Sequence, residues 1–304
     1  MALIMLVFIA GLVATVFLLN ALNSNTVKIE RDKKTSEALA EAKTALIGWS
    51  VNRANPGQLP CPEDTSLIGL PTEGQSSASC TSASPVIGRL PWRTLGAGDL
   101  KDGYGERLWY VISPGFRSSP INHTTPAQLS VDGIAGSAVA IVFSPGPPLP
   151  TQSRPTPSAS SPPDVAQYLD LSNNDGDASF VTGGIATSFN DKLLMVRGAD
   201  LFSVVALRLL GEVRGDAATQ GMRMYYSAYS KFPYADTTGD GNSDVGQLLG
   251  NPPFQGPPNS LFFNTAIKNM LVNNGWFPLI SYNVSVDQQN AVLTLNGKSL
   301  SIAP

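Results

Sequence analysis

An uncharged run of membrane length begins the sequence and constrains the fold more than any other feature. No charged residue precedes Lys28, and neither Pro nor Gly occurs between Leu12 and Ile47. About 20 apolar residues are enough for a helix to cross a hydrocarbon core of ~30 Å. A signal peptide is disfavoured, because no basic residue precedes the run and the following NALNSNTVK is a poor cleavage site. The run therefore predicts a helix of membrane length.

The polar stretch that follows continues the helical pattern without a break. Glu30 and Lys34 form an i,i+4 pair in the favourable orientation. One apolar stripe at helical spacing consists of Leu39, Ala42, Leu46 and Trp49. We therefore expect one helix over residues 2–51, about 75 Å long. Its apolar half covers 1–27, and its amphipathic half covers 28–52.

Four phrases of the sequence carry a family resemblance over most of the chain: LPCPEDT, IGRLPW, DGYGERLWYVIS and FNDKLLMV. Together with the helix pattern, they resemble type IV pilins and type II secretion pseudopilins, within a group of large pilin-like proteins. The resemblance implies an α+β fold, in which a long N-terminal pilin-type helix precedes a loop-rich head with antiparallel sheet. It also implies that apolar side chains of the helix mediate assembly, namely Met1, Leu3, Ile4, Met5, Val7, Phe8, Leu12, Val16 and Phe17.

The same resemblance implies partners and a location. Before assembly, the apolar half-helix lies in the inner membrane; afterwards it packs against copies of the chain in an extracellular or periplasmic helical filament. Prepilin peptidase would leave Met1 as the mature, methylated N-terminus, and pilus or secretion machinery would assemble the subunits. Most members of the family carry Glu at the fifth mature position. Here the residue is Met5, which favours a minor or tip subunit over a major one.

Composition favours a loop-rich head that contains β-structure. Charged residues make up 14% of the chain, which has 28 Gly, 24 Pro and a net charge of −3. Lys and Arg are few and scattered, so no nucleic-acid partner is expected. After the helix at 1–52, we expect a first α+β unit at 53–143, a Pro/Ser-rich linker at 144–163 and a second α+β unit at 164–304. The order of helix, Pro-led exit and aromatic strand recurs in both units, and duplication and chance explain it equally well.

The two cysteines predict a disulfide. Cys61 and Cys80 enclose a Gly/Ser/Pro-rich loop that is too short for a core of its own. Behind an exported anchor such a pair is typically oxidised, and two free buried thiols are the alternative. On the chain-entropy model, closing a loop of this size contributes about 3 kcal/mol to the free energy of unfolding.

The phrase DTTGDGNSD predicts a calcium loop. Calcium takes hard oxygen ligands from a short segment in which Gly permits a tight turn. The candidate ligands are Asp236, Thr238, Asp240, Asn242 and Asp244. The match to an EF-hand is partial, because Gln247 stands where Glu is expected. A loop of Asx turns that satisfies its own backbone is the alternative. A weaker candidate contains Asn173, Asn174, Asp175 and Asp177.

Side chains that would suggest catalysis are scarce. The only histidine, His123, lies in a Pro/Thr loop, and Asp99 and Asp102 lie in turns, where Asp is common. We therefore expect a structural filament subunit and not an enzyme. The alternatives are a minor or tip pseudopilin of a secretion or pilus system, and a membrane-anchored periplasmic binding domain.

Overall fold

The computed structural model describes residues 2–184, 188–256 and 261–304, with side chains from Asn25 onward. The described α-helices are α1 (Ala2–Val51), α2 (Gly198–Arg214), α3 (Gly221–Tyr229) and α4 (Thr265–Asn273). The described strands are β1 (Val86–Arg89), β2 (Trp109–Ile112), β3 (Leu129–Val131), β4 (Ile134–Ala138), β5 (Ala140–Ser144), β6 (Ser179–Phe180), β7 (Lys192–Val196), β8 (Leu249–Gly250), β9 (Ser281–Val284), β10 (Ala291–Leu295) and β11 (Lys298–Ile302).

The first sheet has the order β1-β2-β5-β7, and all its neighbouring strands are antiparallel. Its central strands, β2 and β5, are buried along their whole length. Successive side chains of a strand point to opposite faces. Tyr110 and Val142 therefore join the main core with α1 and α2, whereas Trp109 and Phe143 join a second cluster with β3, β4 and β6. Burial on both faces explains why these strands are continuous apolar runs.

The second four-stranded sheet has the order β11-β10-β9-β8 and is also antiparallel. Here burial alternates along β9 and β10, so that Tyr282, Leu293 and Leu295 face inward. Helix α2 packs on this face against β10 and β11, and it also packs against α1. The main core is therefore continuous from α1 and the first sheet, through α2, to the second sheet.

A smaller sheet of order β4-β3-β6 covers the other face of the first sheet. Strand β3 is antiparallel to β4 and parallel to β6. The aromatic side chains of Phe143 and Phe180 meet between the layers, with ring centroids 5.5 Å apart. Both faces of the first sheet are thus closed by protein.

The pilin-type helix predicted from the sequence requires correction. Helix α1 runs from Ala2 to Val51, but its side chains are described only from Asn25. Within the part of the chain whose side chains are described, no helix is long and apolar enough to cross a membrane. The structure therefore supports a mixed α+β fold with several antiparallel sheets, and its described part shows no pilin-type helix with an apolar half.

The Pro/Ser-rich segment at 144–163 folds back on the head, and the strand that follows it returns to the first sheet. Nε of Arg154 donates to the Gln167 carbonyl at 2.8 Å, and its Nη1 donates to the Gly146 carbonyl at 2.7 Å. Farther along the chain, β7 pairs with β5 from Ala140 to Ser144. The first sheet therefore contains a strand from beyond residue 164.

Candidate functional site: the interface of helix α1

One face of the C-terminal half of α1 is embedded in the globular part of the protein. We call the contacts of Thr35–Val51 the α1 interface. Its buried side chains recur at helical spacing and are Thr35, Ala38, Leu39, Ala42, Leu46 and Ser50. They pack toward β5, β7 and α2. None of residues 25–34 is buried, and Ile29 is 68% exposed. The helix therefore leaves the head near Thr35.

Lys43 fixes the helix to the junction of β7 and α2. Its Nζ donates to Oδ2 of Asp200 at 2.7 Å and to the Met195 carbonyl at 3.0 Å. The same Asp200 oxygen accepts the Arg197 backbone N–H at 3.0 Å. Burial raises the pKa of Asp200, but the hydrogen bonds from Lys43 and Arg197 outweigh it and lower that pKa. The sequence pattern predicts Asp200 as the N-cap of α2, but in the structure it is the third residue of the helix.

A second ion pair joins α1 to β7 at the surface. Nζ of Lys192 lies 2.7 Å from Oδ1 of Asp32, and both side chains are roughly half exposed. Exposed pairs of this kind contribute about 0–1 kcal/mol. Burial of the apolar face therefore contributes more to holding α1 than this pair does.

The turn at DGYGE packs directly against α1. The backbone N–H of Gly103 donates to Oγ1 of Thr35 at 3.0 Å, and that hydroxyl donates to the Arg31 carbonyl at 2.9 Å. A Cβ atom at residue 103 would lie 2.2 Å from the Arg31 carbonyl oxygen. Only glycine fits this approach without a shift of the backbone, so the turn and the helix fix each other's position.

Asp102 organises the same turn from inside. Its side chain is fully buried. Oδ1 accepts the backbone N–H groups of Tyr104 and Glu106, while Oδ2 accepts Oγ of Ser144 at 2.7 Å and the Gly146 N–H at 3.1 Å. One carboxylate therefore joins the turn to the end of β5. Sequence reasoning placed Asp102 in a turn but missed this role; its position between a Gly-rich turn and a buried strand was the available signal.

Asp191 is a buried carboxylate beside the α1 interface, just before β7. Its Oδ2 accepts the Asp170 N–H and Nδ2 of Asn173, each at 2.9 Å. Its Oδ1 has no hydrogen-bond partner among the described residues. Burial raises the pKa of Asp191 to about 7, with the charge of Asp170 adding to the effect. The charge of Asp191 therefore changes close to neutral pH.

The residues predicted to mediate assembly all lie within positions 1–24 of the chain, namely Met1, Leu3, Ile4, Met5, Val7, Phe8, Leu12, Val16 and Phe17. Their side chains are outside the described residues. Their role in assembly stays a prediction.

The predicted disulfide is confirmed, since Cys61 and Cys80 are bonded. Arg117 braces the loop that the bond closes. Its Nη1 donates to the Cys80 carbonyl at 2.7 Å and its Nη2 to the Ser84 carbonyl at 2.8 Å. A structural disulfide is typical of proteins in oxidising, extracytoplasmic compartments.

The acidic loop after α3 uses its carboxylates on its own backbone. Asp236 is buried, and its two oxygens accept the N–H groups of Gly239 at 2.7 Å and Gly241 at 2.8 Å. Oδ2 of Asp244 accepts the Thr237 N–H, also at 2.7 Å. Asp240 is exposed and accepts the Asn242 N–H at 2.8 Å.

These carboxylates do not converge on a common point. The side chains that the structure describes include no group of three or more His, Cys, Asp or Glu residues placed to hold a metal ion. The calcium site at Asp236, Thr238, Asp240, Asn242 and Asp244 stays a prediction.

The weaker calcium candidate is also engaged within the fold. Nδ2 of Asn174 donates to the Leu169 carbonyl at 2.6 Å, and Oδ1 of Asp175 accepts the Asp177 N–H at 3.1 Å. Nδ2 of Asn173 donates a hydrogen bond to Oδ2 of Asp191. The histidine, His123, lies beside Trp276, with ring centroids 6.1 Å apart.

No family model, curated protein or solved structure matches the chain. Any function must therefore be argued from its own residues.

Proposed function

We propose that the chain is a structural subunit of an extracytoplasmic, pilus-like filament. The observation that carries the proposal is the α1 interface. One helix leaves a closed α+β head, and the N-terminal part of that helix, residues 2–27, carries no charged residue. Such a segment is suited to packing against copies of itself or against lipid.

The α1 interface combines buried apolar contacts with a hydrogen-bonded ion pair, and both join the helix firmly to the head. Leu46 and Ala42 are fully buried in the main core. The ion pair of Lys43 with Asp200 lies midway along the embedded part of the helix, and the Gly103–Thr35 contact lies where the helix leaves the head. A pull on residues 25–34 would therefore act on the core of the head.

The disulfide supports the extracytoplasmic part of the proposal. The Cys61–Cys80 bond closes a loop whose serine-rich residues 76–82 are exposed or half-buried at the head surface. An oxidising compartment is where such a bond forms and persists. The inner membrane is the proposed location of segment 1–27 before assembly, and prepilin peptidase and assembly machinery are the proposed partners.

The test is to image sheared extracellular material from cells that produce the full chain, and to identify the filament subunit by mass spectrometry. Leu12→Asp places a charge in the uncharged segment, and we expect it to abolish filaments. Asn25→Asp adds the same charge at an exposed helix position and is the matched control. Filaments that persist with Leu12→Asp, or a chain that stays monomeric in detergent, would contradict the proposal.

A minor or tip subunit is the second candidate, because Met5 replaces the usual acidic residue. The abundance of the chain in purified filaments distinguishes a major subunit from a minor or tip subunit. A major subunit dominates the protein mass of purified filaments, whereas a tip subunit is present in about one copy per filament and labels one end in immunogold images. A monomer that remains in the membrane would instead indicate an anchored binding domain.

A further inference from the structure

A cleft on the head, lined in part by the DGYGE turn, is built around a buried arginine. Its volume is about 570 Å³, and four cationic side chains line it: Arg89, Lys101, Arg107 and Arg154. Two carboxylates, Glu73 and Glu106, lie among them. We call this site the arginine cleft. Its lining carries an excess of positive charge in a chain whose net charge is −3.

Two of the arginines are fully engaged by the protein. Nε of Arg107 lies 2.9 Å from Asp99, and its Nη1 pairs with Glu73. Arg154 pairs with Glu106 at 3.3 Å and donates to several backbone carbonyls. These side chains form the walls of the cleft and have little capacity left for a ligand.

Arg89 differs from them. Its side chain is only 6% exposed, at the end of β1. Among the described residues, its guanidinium makes no direct hydrogen bond or ion pair, and its Nε is buried without a hydrogen-bond partner. Burial acts to raise the pKa of the Glu63 and Glu73 carboxylates, and the charge of Arg89 acts to lower the pKa of each without a direct contact. Glu63 is buried nearby, but it accepts the Gly74 N–H and pairs with Arg107 at 3.9 Å. A buried guanidinium without a directly bonded carboxylate is costly, and proteins normally pair it.

The surroundings hold the Arg89 side chain in place. Its guanidinium lies 5.8 Å from the ring centroid of Tyr168, and that of Arg154 lies 4.9 Å from the same ring. Tyr168 is itself buried against Trp109, at 5.1 Å between ring centroids. An arginine positioned in this way keeps its planar donors available for a carboxylate, which can accept two parallel N–H bonds.

We propose that the arginine cleft binds a small hydroxylated carboxylic acid of sugar-acid size, with its carboxylate on Arg89. The volume lies in the range of small-molecule sites, ~300–1,000 Å³, and exceeds what a bare carboxylate needs. Glu73 and Glu106 supply acceptors for hydroxyl groups, and Pro155 and Pro157 supply apolar wall. The same two carboxylates disfavour a dianion such as phosphate. The inference does not depend on filament assembly.

Isothermal titration calorimetry on the full, disulfide-bonded chain tests the proposal with D-glucuronate as the probe. Glucose, acetate and phosphate are the comparison ligands. We expect glucuronate to bind, glucose to bind about tenfold or more weakly, and acetate to bind more weakly because it leaves most of the cleft empty. Glucose or phosphate binding as tightly as glucuronate would overturn the assignment of a carboxylate. Acetate binding as tightly would overturn the assignment of a sugar acid.

Substitutions inside and outside the arginine cleft test whether glucuronate binds there. Arg89→Gln should weaken glucuronate binding at least tenfold and remove the ligand-induced rise in thermal midpoint. Arg53→Gln makes the same charge change at an exposed arginine outside the cleft, and it should bind as the wild type does. Thr156→Trp fills the cleft from its exposed rim without touching Arg89, so it gives an independent test if Arg89→Gln does not fold. Unchanged binding in Arg89→Gln, or in Thr156→Trp, would overturn the proposal.

Discussion

The hydroxyl of Tyr110 donates a hydrogen bond to the Pro60 carbonyl at 3.1 Å, inside the main core. The second sheet has an equivalent contact, in which the Tyr282 hydroxyl donates to the Pro233 carbonyl at 2.7 Å. Burial raises the pKa of both tyrosines, so both hydroxyls keep their protons. In each case a tyrosine on an inner strand holds the segment that enters its sheet.

Replacing either tyrosine by phenylalanine should lower the free energy of unfolding. The ring still fills its space, but a buried carbonyl loses its donor, which costs about 1–2 kcal/mol. Tyr110→Phe and Tyr282→Phe lie in different sheets, so their effects should add in the double variant. Urea denaturation followed by circular dichroism measures each change.

Tyr104→Phe is the control for this pair, because Tyr104 is 38% exposed and its hydroxyl has no hydrogen bond among those described. It should change stability by less than about 0.5 kcal/mol. If Tyr110→Phe changed the free energy of unfolding as little as Tyr104→Phe, the hydrogen bond to the Pro60 carbonyl would not stabilise the fold.

Gly103→Ala should loosen α1. The new Cβ would lie 2.2 Å from the Arg31 carbonyl oxygen, so either the turn or the helix must move. We expect a loss of about 1–3 kcal/mol in the free energy of unfolding. Hydrogen exchange should also become faster in residues 31–43. Gly98→Ala is the matched control, since nothing lies within 4 Å of its added Cβ. Equal exchange rates in the two variants would show that the turn does not brace the helix.

Local features of the sequence predicted several elements well. The buried strands β5 and β2 are both short apolar runs in the sequence, Ala140–Ser144 and Trp109–Ile112. The stripe Leu39, Ala42 and Leu46 is buried as predicted. In each of these stretches, the burial pattern follows from neighbours a few residues apart, which periodicity can detect. The disulfide was predictable because the chain has only two cysteines.

Contacts between residues that are far apart in the sequence were not predictable from local patterns. β7 pairs with β5 across the Pro/Ser-rich segment, and no local pattern encodes that choice of partner. Asp200 was assigned as the N-cap of α2, but the helix begins at Gly198 and Asp200 reaches back to the Arg197 N–H. Arg89 is the last residue of the short strand β1, and no local sequence pattern indicates that its side chain is buried. The Tyr168 ring that packs near it comes from a distant part of the chain.

The acidic loop allows two separate measurements. Asp236→Ala leaves the N–H groups of Gly239 and Gly241 without their acceptor inside the fold. We expect it to lower the free energy of unfolding by about 2–3 kcal/mol, with or without calcium. Asp236→Asn retains an oxygen acceptor, so it should lower the free energy of unfolding by less than Asp236→Ala does. An Asp236→Ala variant as stable as the wild type would contradict the hydrogen-bonded arrangement.

If the acidic loop binds calcium as predicted, the thermal midpoint of the protein should depend on calcium. Calcium should raise the thermal midpoint of the wild type by mass action. Asp240→Ala should abolish that rise while leaving the calcium-free midpoint nearly unchanged, because Asp240 is exposed. Differential scanning fluorimetry with calcium and with a chelator measures both effects. Identical midpoints in the two conditions would identify a loop held by its own amides.

Asp191 should make stability depend on pH on the acidic side of neutrality. Burial raises its pKa from an ordinary 3.8 to about 7 in the folded chain. Between these values the folded state holds a proton that the unfolded state has lost, so stability falls as pH rises, by about 1.4 kcal/mol per pH unit. The contribution is fully present below pH 3.8 and is lost once pH passes about 7.

Asp191→Asn should remove this dependence. The amide oxygen can still accept the Asp170 N–H and Nδ2 of Asn173, and the group no longer ionises. Other carboxylates also titrate, including Glu63, whose pKa is raised by burial. The informative quantity is therefore the difference in unfolding free energy between variant and wild type, measured by urea denaturation from pH 4 to pH 8. We expect the unfolding free energy of the variant, relative to that of the wild type, to increase steadily up to about pH 7 and then to stay constant. Parallel profiles would show that Asp191 is already ionised in the folded protein throughout this range.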